Sequence, residues 1–359
     1  MTPENQFGSI HRLSKRISSN MANSLRQIDD INMQVRLLSF NAQVQAAKAG
    51  EAGRTFSVVA NEIGNLSTKT ARVAESLAAE TSQDIKELAE ISNNLASEVS
   101  GNRLVDLALT NIDLIDRNLY ERSCDVRWWA TDPSVVDALA NPSKETHDFA
   151  STRLGVILNA YTVYYDIVLC DMNGKIVANG RPEKFKSIDS SAAQFQWFQS
   201  AASSASGNDF GFQSVHSSSL VDNKKILAYS CGVRKDGNAS GPLLGVLGVL
   251  FNWESLAQTI VQATPIPESE RDCSRVCIID RSGLILADTN CEILQHRIPL
   301  EPLQSLIKNR KGFAILDTNS QKKLYALACA PGYETYSTGW LGLIIQEINK
   351  AEPNHSMPV

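Results

Sequence analysis

Residues 31–66 read INMQVRLLSFNAQVQAAKAGEAGRTFSVVANEIGNL. Apolar positions recur every three to four residues on both sides of the interruption Ala49-Gly50-Glu51-Ala52-Gly53. Upstream the rhythm runs through Ile17, Met21, Ile28, Ile31, Val35, Leu38 and Ala42, with neither Pro nor a β-branched run between Ile10 and Ala49. Downstream it continues through Phe56, Val59, Ile63, Leu66, Val73 and Leu77, then through Leu88, Ile91 and Leu95. That spacing is a coiled-coil seam on each of two helices. The glycine-marked break between them predicts an antiparallel hairpin. A narrow stripe on a lone hairpin leaves apolar surface wet, and Ala42, Ala46, Ala47 and Ala60 suit close helix packing, so two chains are expected to pair as a four-helix bundle. By pattern alone such a hairpin also serves as a plain spacer or dimerisation stalk.

The second helix is expected to run on through Leu104, Leu107, Leu114 and Ile115 to Trp128. After Pro133 the texture changes to β-branched runs, glycine turns and serine-rich loops. An internal repeat appears there. Asp171-Met172-Asn173-Gly174 followed by Lys175-Ile176-Val177-Ala178 matches Asp280-Arg281-Ser282-Gly283 followed by Leu284-Ile285-Leu286-Ala287. Each copy follows an apolar strand (Asp166 to Cys170; Arg275 to Ile279), which is a hairpin signature. Lys224 to Cys231 then matches Lys322 to Cys329, and Gly245 to Leu250 matches Gly339 to Ile344. Three anchors in one order, at shrinking separations, predict two tandem α/β modules, the second with shorter loops.

The fold class is therefore α+β: an N-terminal antiparallel coiled-coil hairpin joined by a long helix to tandem α/β modules. The hairpin is assigned to residues 1–101 and the long helix with the duplicated part to 102–359. Within the latter, the long helix takes 102–131, a distal module about 132–264 and a proximal module about 270–349.

At 359 residues, 43% apolar and 20% charged, the chain has the balance of a multi-domain globular protein. A net charge of −5 supplies no basic footprint for nucleic acid. The first residues, MTPENQFGSIHRLSKR, contain no apolar stretch, and the longest apolar run, Leu243 to Phe251, is far short of the roughly twenty residues that span a bilayer. Neither signal peptide nor membrane span is expected. Cys124, Cys170, Cys231, Cys273, Cys277, Cys291 and Cys329 are odd in number and lack paired C-x-x-C spacing. A reducing cytoplasm fits them best, and no metal or other cofactor is expected.

Ile31 to Leu66 resembles the hairpin tip of bacterial methyl-accepting chemotaxis proteins. The residues that carry the resemblance are Leu37-Leu38-x-x-Asn41-Ala42, Ala46 through Arg54, and Phe56-x-Val58-Val59-Ala60-Asn61-Glu62-Ile63. It implies a soluble transducer whose tip binds a histidine kinase and its coupling protein through Leu37, Val58, Val59, Asn61 and Glu62. It also implies tip packing and dimer clustering through Met33, Arg36, Asn41, Gln45, Lys48, Gly50, Glu51, Gly53 and Arg54. Arg36 stands where the family usually has Asn and Gln45 where it usually has Glu, which changes two polar contacts of the clustering face. About forty-five residues at roughly 1.5 Å each give an arm of only ~70 Å. The family's adaptation sites lie farther from the tip, so mass spectrometry after incubation with the methyltransferase is expected to find no methylated glutamate between Ser82 and Ser100.

The duplicated part resembles a double Cache sensor, which implies that its two α/β modules are PAS-like and that the first holds a small-molecule ligand. Gln194-Phe195-Gln196-Trp197-Phe198 is then the segment roofing the pocket. Amino-acid-binding members carry an Arg two residues before the Trp, a Tyr after it and a later Asp; here those places hold Phe195, Phe198 and Leu250. The expected ligand is accordingly apolar or aromatic. The candidate ligand-binding residues are Trp197, Phe198, Tyr229, Arg181 and His216. Plain alternatives are core packing for Trp197 and Phe198, an exposed loop for His216 and solvent for Arg181; Tyr229 is read as a polar contact. Trp128 and Trp129 are expected to anchor the long helix on the sheet. Cys273 and Cys277 lack a nearby His for a metal site.

No Ser/His/Asp set, phosphate loop or carboxylate pair is evident, so no catalytic residue is assigned. The alternatives to a transducer are a ligand-binding scaffold with a vestigial tip and a cysteine-dependent redox enzyme.

Overall fold

The computed structural model describes residues 3–318 and 321–348; the end of the expected proximal module, from residue 349, lies outside them. The chain divides into two compact units, Met1–Ser100 and Gly101–Val359.

In the first unit, α1 (Pro3–Lys48) and the start of α2 (Arg54–Trp129) are joined by a 3-10 turn at Gly50–Gly53. Gly50 supplies the left-handed conformation that reverses the chain, with φ +58°. The faces that meet inside this hairpin are lined by small and polar residues. Asn32, Ser39 and Ala46 of α1 and Ala60, Ser67 and Ala74 of α2 are buried, each seven residues from the next on its own helix. The Ser39 hydroxyl donates to the Ala60 carbonyl (2.7 Å) and the Ser67 hydroxyl to the Asn32 carbonyl (3.1 Å). The apolar seam read from the sequence thus separates into two stripes. Met21, Ile28, Val35 and Ala42 are half-buried, whereas Ile17, Ile31 and Leu38 are exposed, as are Phe56, Val59, Leu66, Val73 and Leu77. Small residues such as Ala46 and Ala60 take the inner face because helices packed this closely leave no room there for branched side chains.

In the second unit α2 continues from Gly101, burying Leu104, Ala108, Ile112, Ile115, Leu119 and Val126. Helices α3 (Pro133–Ala140) and α4 (Lys144–Ala160) follow, started by the Asp132 and Ser143 side chains as N-caps. The first sheet comprises β1 (Tyr164–Asp171), β2 (Ile176–Asn179), β3 (Gly211–Ser218), β4 (Lys224–Arg234) and β5 (Leu243–Asn252), in the order β2-β1-β5-β4-β3. Helix α5 (Gln196–Ala202) lies between β2 and β3 in sequence. A π-helical turn at Glu254–Gln258 leads through α6 (Thr259–Gln262) and α7 (Glu268–Arg271) to the second sheet. That sheet comprises β6 (Ser274–Ile279), β7 (Ile285–Asp288), β8 (Lys311–Thr318), β9 (Gln321–Cys329) and β10 (Leu341–Ile348), with α8 (Gln304–Lys308) ahead of β8. Its order, β7-β6-β10-β9-β8, is that of the first sheet.

The repeated D-x-x-G turns are superimposable in their chemistry. The Asp171 carboxylate accepts from the backbone N–H of Asn173 and Lys175, and that of Asp280 from Ser282 and Leu284. Gly174 and Gly283 follow at φ +81° and +80°.

One core joins α2, α3 and α4 to the inner faces of both sheets, including Leu169, Tyr229, Val249 and Phe251 of the first and Ile278, Ala326 and Ile344 of the second. Two glycines set the approach. A Cβ on Gly342 meets the Ala108 carbonyl at 2.3 Å, and one on Gly101 meets the Phe313 ring at 2.6 Å. The outer faces form separate clusters, around Trp197 and Phe198 on the first sheet and around Leu303 and Leu306 on the second. Of the two tryptophans expected to anchor α2, Trp129 packs edge-on against Tyr161 and Tyr164, while Trp128 is exposed. Adjacent helical positions point about 100° apart, so one indole faces the sheet and the other faces water.

Candidate functional site

At the hairpin tip Met33, Leu37, Val58 and Val59 are 65, 59, 61 and 53% exposed. Arg36, Asn41, Gln45, Lys48, Gly50, Glu51, Arg54, Asn61 and Glu62 are exposed too, whereas Gly53 is buried. The Gln43 side-chain amide donates to Asn61 Oδ1 (2.8 Å), fixing the Asn61 side chain beside the bare valines. Apolar surface ringed by charge in this way is the composition of a protein-recognition patch.

On the first sheet module the candidates separate. Trp197 is fully buried: its indole lies on Gly248 of β5, where a Cβ would meet the ring at 2.5 Å, and it stacks on Phe195 with centroids 6.1 Å apart. Phe198 packs edge-on against it. His216 pairs with Ile226 on the same outer face. Its Nδ1–H donates to the Ser214 carbonyl (2.8 Å), its Nε2 is buried without a partner, and burial lowers its pKa. Trp197 Nε1 is likewise buried and unpartnered. One unused donor and one unused acceptor therefore sit on the outer face.

Tyr229 and Arg181 do not join them. Tyr229 belongs to the inner-face core, and its hydroxyl hydrogen-bonds that of Tyr336 from the second module. Strand alternation explains the correction: Ala228 and Ser230 take the outer face, so Tyr229 between them takes the other. The Arg181 guanidinium donates to the backbone carbonyls of Leu158, Tyr164 and Tyr165, all at 2.8 Å. It lines a groove of about 580 Å³ beside α4, but as an anchor of the chain and not as an open anion hook.

Residues 4–123 match the family model of the methyl-accepting chemotaxis protein signalling domain. About a third of this chain is therefore similar to that signalling domain. Relatives of the signalling domain include the methyl-accepting chemotaxis protein Amb0994 of Paramagnetospirillum magneticum, 47% identical over 62 residues, which cover 17% of this chain and 14% of the relative. Methyl-accepting chemotaxis protein IV of Escherichia coli is 38% identical over 99 residues, 27% of this chain and 17% of the relative. The chain thus spans a small part of the length of these relatives.

The fold of the two sheet modules and their long helix is similar to that of two solved sensor domains. The sensory domain of the Campylobacter jejuni chemoreceptor Tlp3 (CcmL), solved with isoleucine bound, superposes with TM-score 0.52 at 18% identity, over 70% of this chain and 93% of that one. The sensor domain of the Vibrio cholerae histidine kinase DctB gives 0.52 at 16%, over 71% and 100%. Among the described residues no helix is long and apolar enough to cross a membrane.

Sequence reading missed Asp166 and Asn179. Asp166 is fully buried on β1 and accepts from the backbone N–H of Ile167, Gly180 and Arg181 and from the Asn179 amide, while burial raises its pKa to about 6. An aspartate opening an otherwise apolar strand was the available signal.

Proposed function

We propose that the chain is a chemotaxis-type transducer that senses a small molecule through its first sheet module and controls a histidine kinase, with its coupling protein, through the hairpin tip. The carrying observation is the patch of Leu37, Val58 and Val59, left bare beside Asn61 and Glu62. The stripe of exposed Ile31, Leu38, Phe56, Leu66 and Val73 supports a homodimer in which two hairpins form a four-helix bundle. We place the protein in the cytoplasm with its kinase.

The ligand site we assign to the outer face of the first sheet, where Trp197 Nε1 and His216 Nε2 lack partners. Trp197 is closed over Gly248, so ligand entry requires the α5 segment to lift, and a ligand then acts by selecting the lifted state. Phe195 and Leu250 on that face favour an apolar or aromatic molecule.

A cysteine-based enzyme fits less well. Burial pushes the thiols of Cys170, Cys277 and Cys329 up and that of Cys231 to about 11, whereas a nucleophilic cysteine needs a lowered pKa.

Capture of kinase and coupling protein on immobilised chain tests the transducer reading. Val59→Asp, which puts a charge in the apolar patch, is expected to reduce capture at least tenfold, and Glu62→Arg to do likewise, with the melting temperature of the sensor unit unchanged. Equal capture by wild type and both variants leaves the scaffold reading in its place.

A further inference from the structure

We propose that the sensor unit holds a second site, for a small oxyanion bearing carboxylate or phosphate groups, in the cavity between the C-terminal end of α2 and the end of β4 with the β4–β5 connection of the first sheet. This goes beyond the transducer reading, because the cavity lies away from the outer face that carries Trp197. Its volume is about 430 Å³, within the range of small-molecule sites.

Two guanidinium groups line it, Arg127 from α2 and Arg234 from β4, and no carboxylate does. In a chain of net charge −5 that is a pronounced local excess. Other arginines of this unit, among them Arg103, Arg117, Arg122 and Arg275, are ion-paired with acids. Neither Arg127 nor Arg234 has a carboxylate within ion-pair distance among the described residues. The nearby Asp209 accepts from the Ser206 backbone N–H (3.0 Å).

Arg234 is only 9% exposed. It donates to the carbonyls of Gly241 (2.9 Å) and Ser204 (2.6 Å), and its Nε–H is buried with no partner. Arg127 donates through Nε to the Ser123 carbonyl (2.8 Å), through Nη1 to the Asn208 carbonyl (3.4 Å) and through Nη2 to the Cys124 sulfur (3.4 Å), and lies over the Phe210 ring. Both guanidinium groups are therefore held in place; each terminal nitrogen carries two N–H groups and donates once, so each guanidinium keeps donors for a ligand. A buried cation without a counter-charge is costly, and an oxyanion between two fixed guanidinium groups offsets that cost with charge-assisted hydrogen bonds. Asn208, Asn238 and Thr131 complete the polar wall. The Cys231 thiol beside them, pushed up to about 11, stays neutral and does not repel an anion. A bound oxyanion bridges α2 to the sheet, so its binding energy acts on the helix that enters the signalling domain.

Isothermal titration of the 359-residue chain with sodium phosphate and, separately, sodium malonate, at ionic strength held constant with sodium chloride, tests the site. Saturable binding of at least one is expected; phosphate alone identifies a phosphate site, malonate alone a carboxylate site. Asn208→Asp, an isosteric change that places a carboxylate at the exposed rim, is expected to raise the dissociation constant at least tenfold. Arg127→Gln should do the same. Salts that act by exclusion from the protein surface affect all three proteins alike. No saturable binding of either anion, or one affinity shared by wild type and both variants, overturns the proposal.

Discussion

Replacing Asp116 with alanine will destabilise the second unit by about 4 kcal/mol, and replacing it with asparagine by roughly half as much. Asp116 is fully buried on α2. Its carboxylate accepts from the backbone N–H of Gly332 (2.9 Å) and Thr338 (3.1 Å) and from the Thr338 hydroxyl (2.6 Å). Those donors belong to the β9–β10 connection, which carries Tyr336 to the hydroxyl of Tyr229 on the first sheet. Alanine removes the acceptor and strands the donors; each bond to a charged group contributes ~1.5–3 kcal/mol, and water entry recovers part of the loss. Asparagine keeps one acceptor oxygen and with it part of the clamp. For a unit of this size ~4 kcal/mol corresponds to a fall of about 10 °C in melting temperature. Urea unfolding followed by tryptophan fluorescence measures the effect cleanly, because all five tryptophans lie beyond residue 100. A loss below ~1 kcal/mol for the alanine variant would show that the loop is held by other contacts.

What the sequence made legible is what local chemistry enforces. The two D-x-x-G turns need an acceptor side chain and a left-handed residue at fixed spacing, and both copies have them at Asp171–Gly174 and Asp280–Gly283. The repeat found from those anchors is repeated in the strand order of the two sheets. The helical hairpin was equally readable, since periodicity and a glycine break are properties of the chain alone. Which stripe faces which partner was not. Periodicity reports that Ile31 and Leu38 share a face with Val35, but only the distance between backbones decides that Ser39 and Ala46 close the hairpin and the larger residues stay outside.

That the candidate ligand residues separate in space was hidden for a related reason. Tyr229 and Trp197 are near neighbours in the fold, yet alternation along β4 puts a sheet between them. Arg181 looked available because its partners are backbone carbonyls, which no residue pattern displays. Arg127 and Arg234 went unnoticed because nothing local unites a helix end with a strand more than a hundred residues later.

The two glycines of the hairpin turn should respond in opposite ways to substitution, and the contrast is a test of the tip. Gly50 has φ +58° and nothing within 4 Å of a built Cβ, so Gly50→Ala costs only the left-handed backbone, roughly 1 kcal/mol, and leaves the reversal in place. Gly53 has no such backbone demand, but a Cβ there falls 2.1 Å from the Ala46 carbonyl oxygen and 2.8 Å from its carbon. Backbone atoms cannot swing aside as a flexible side chain can, so Gly53→Val must separate the end of α1 from the start of α2, at a cost of ~3 kcal/mol or more. That separation carries Leu37 and Val58 apart, since they lie on opposite helices of the hairpin. In hydrogen exchange, residues 42–62 of Gly53→Val should lose protection by about two orders of magnitude while β4 and β9 keep theirs; Gly50→Ala should stay within tenfold of wild type. Capture of the kinase should follow the same order, lost in the valine variant and retained in the alanine one. Wild-type protection across 42–62 in Gly53→Val would mean that the turn accommodates a branched side chain and that the close approach of Gly53 to Ala46 does not hold the tip together.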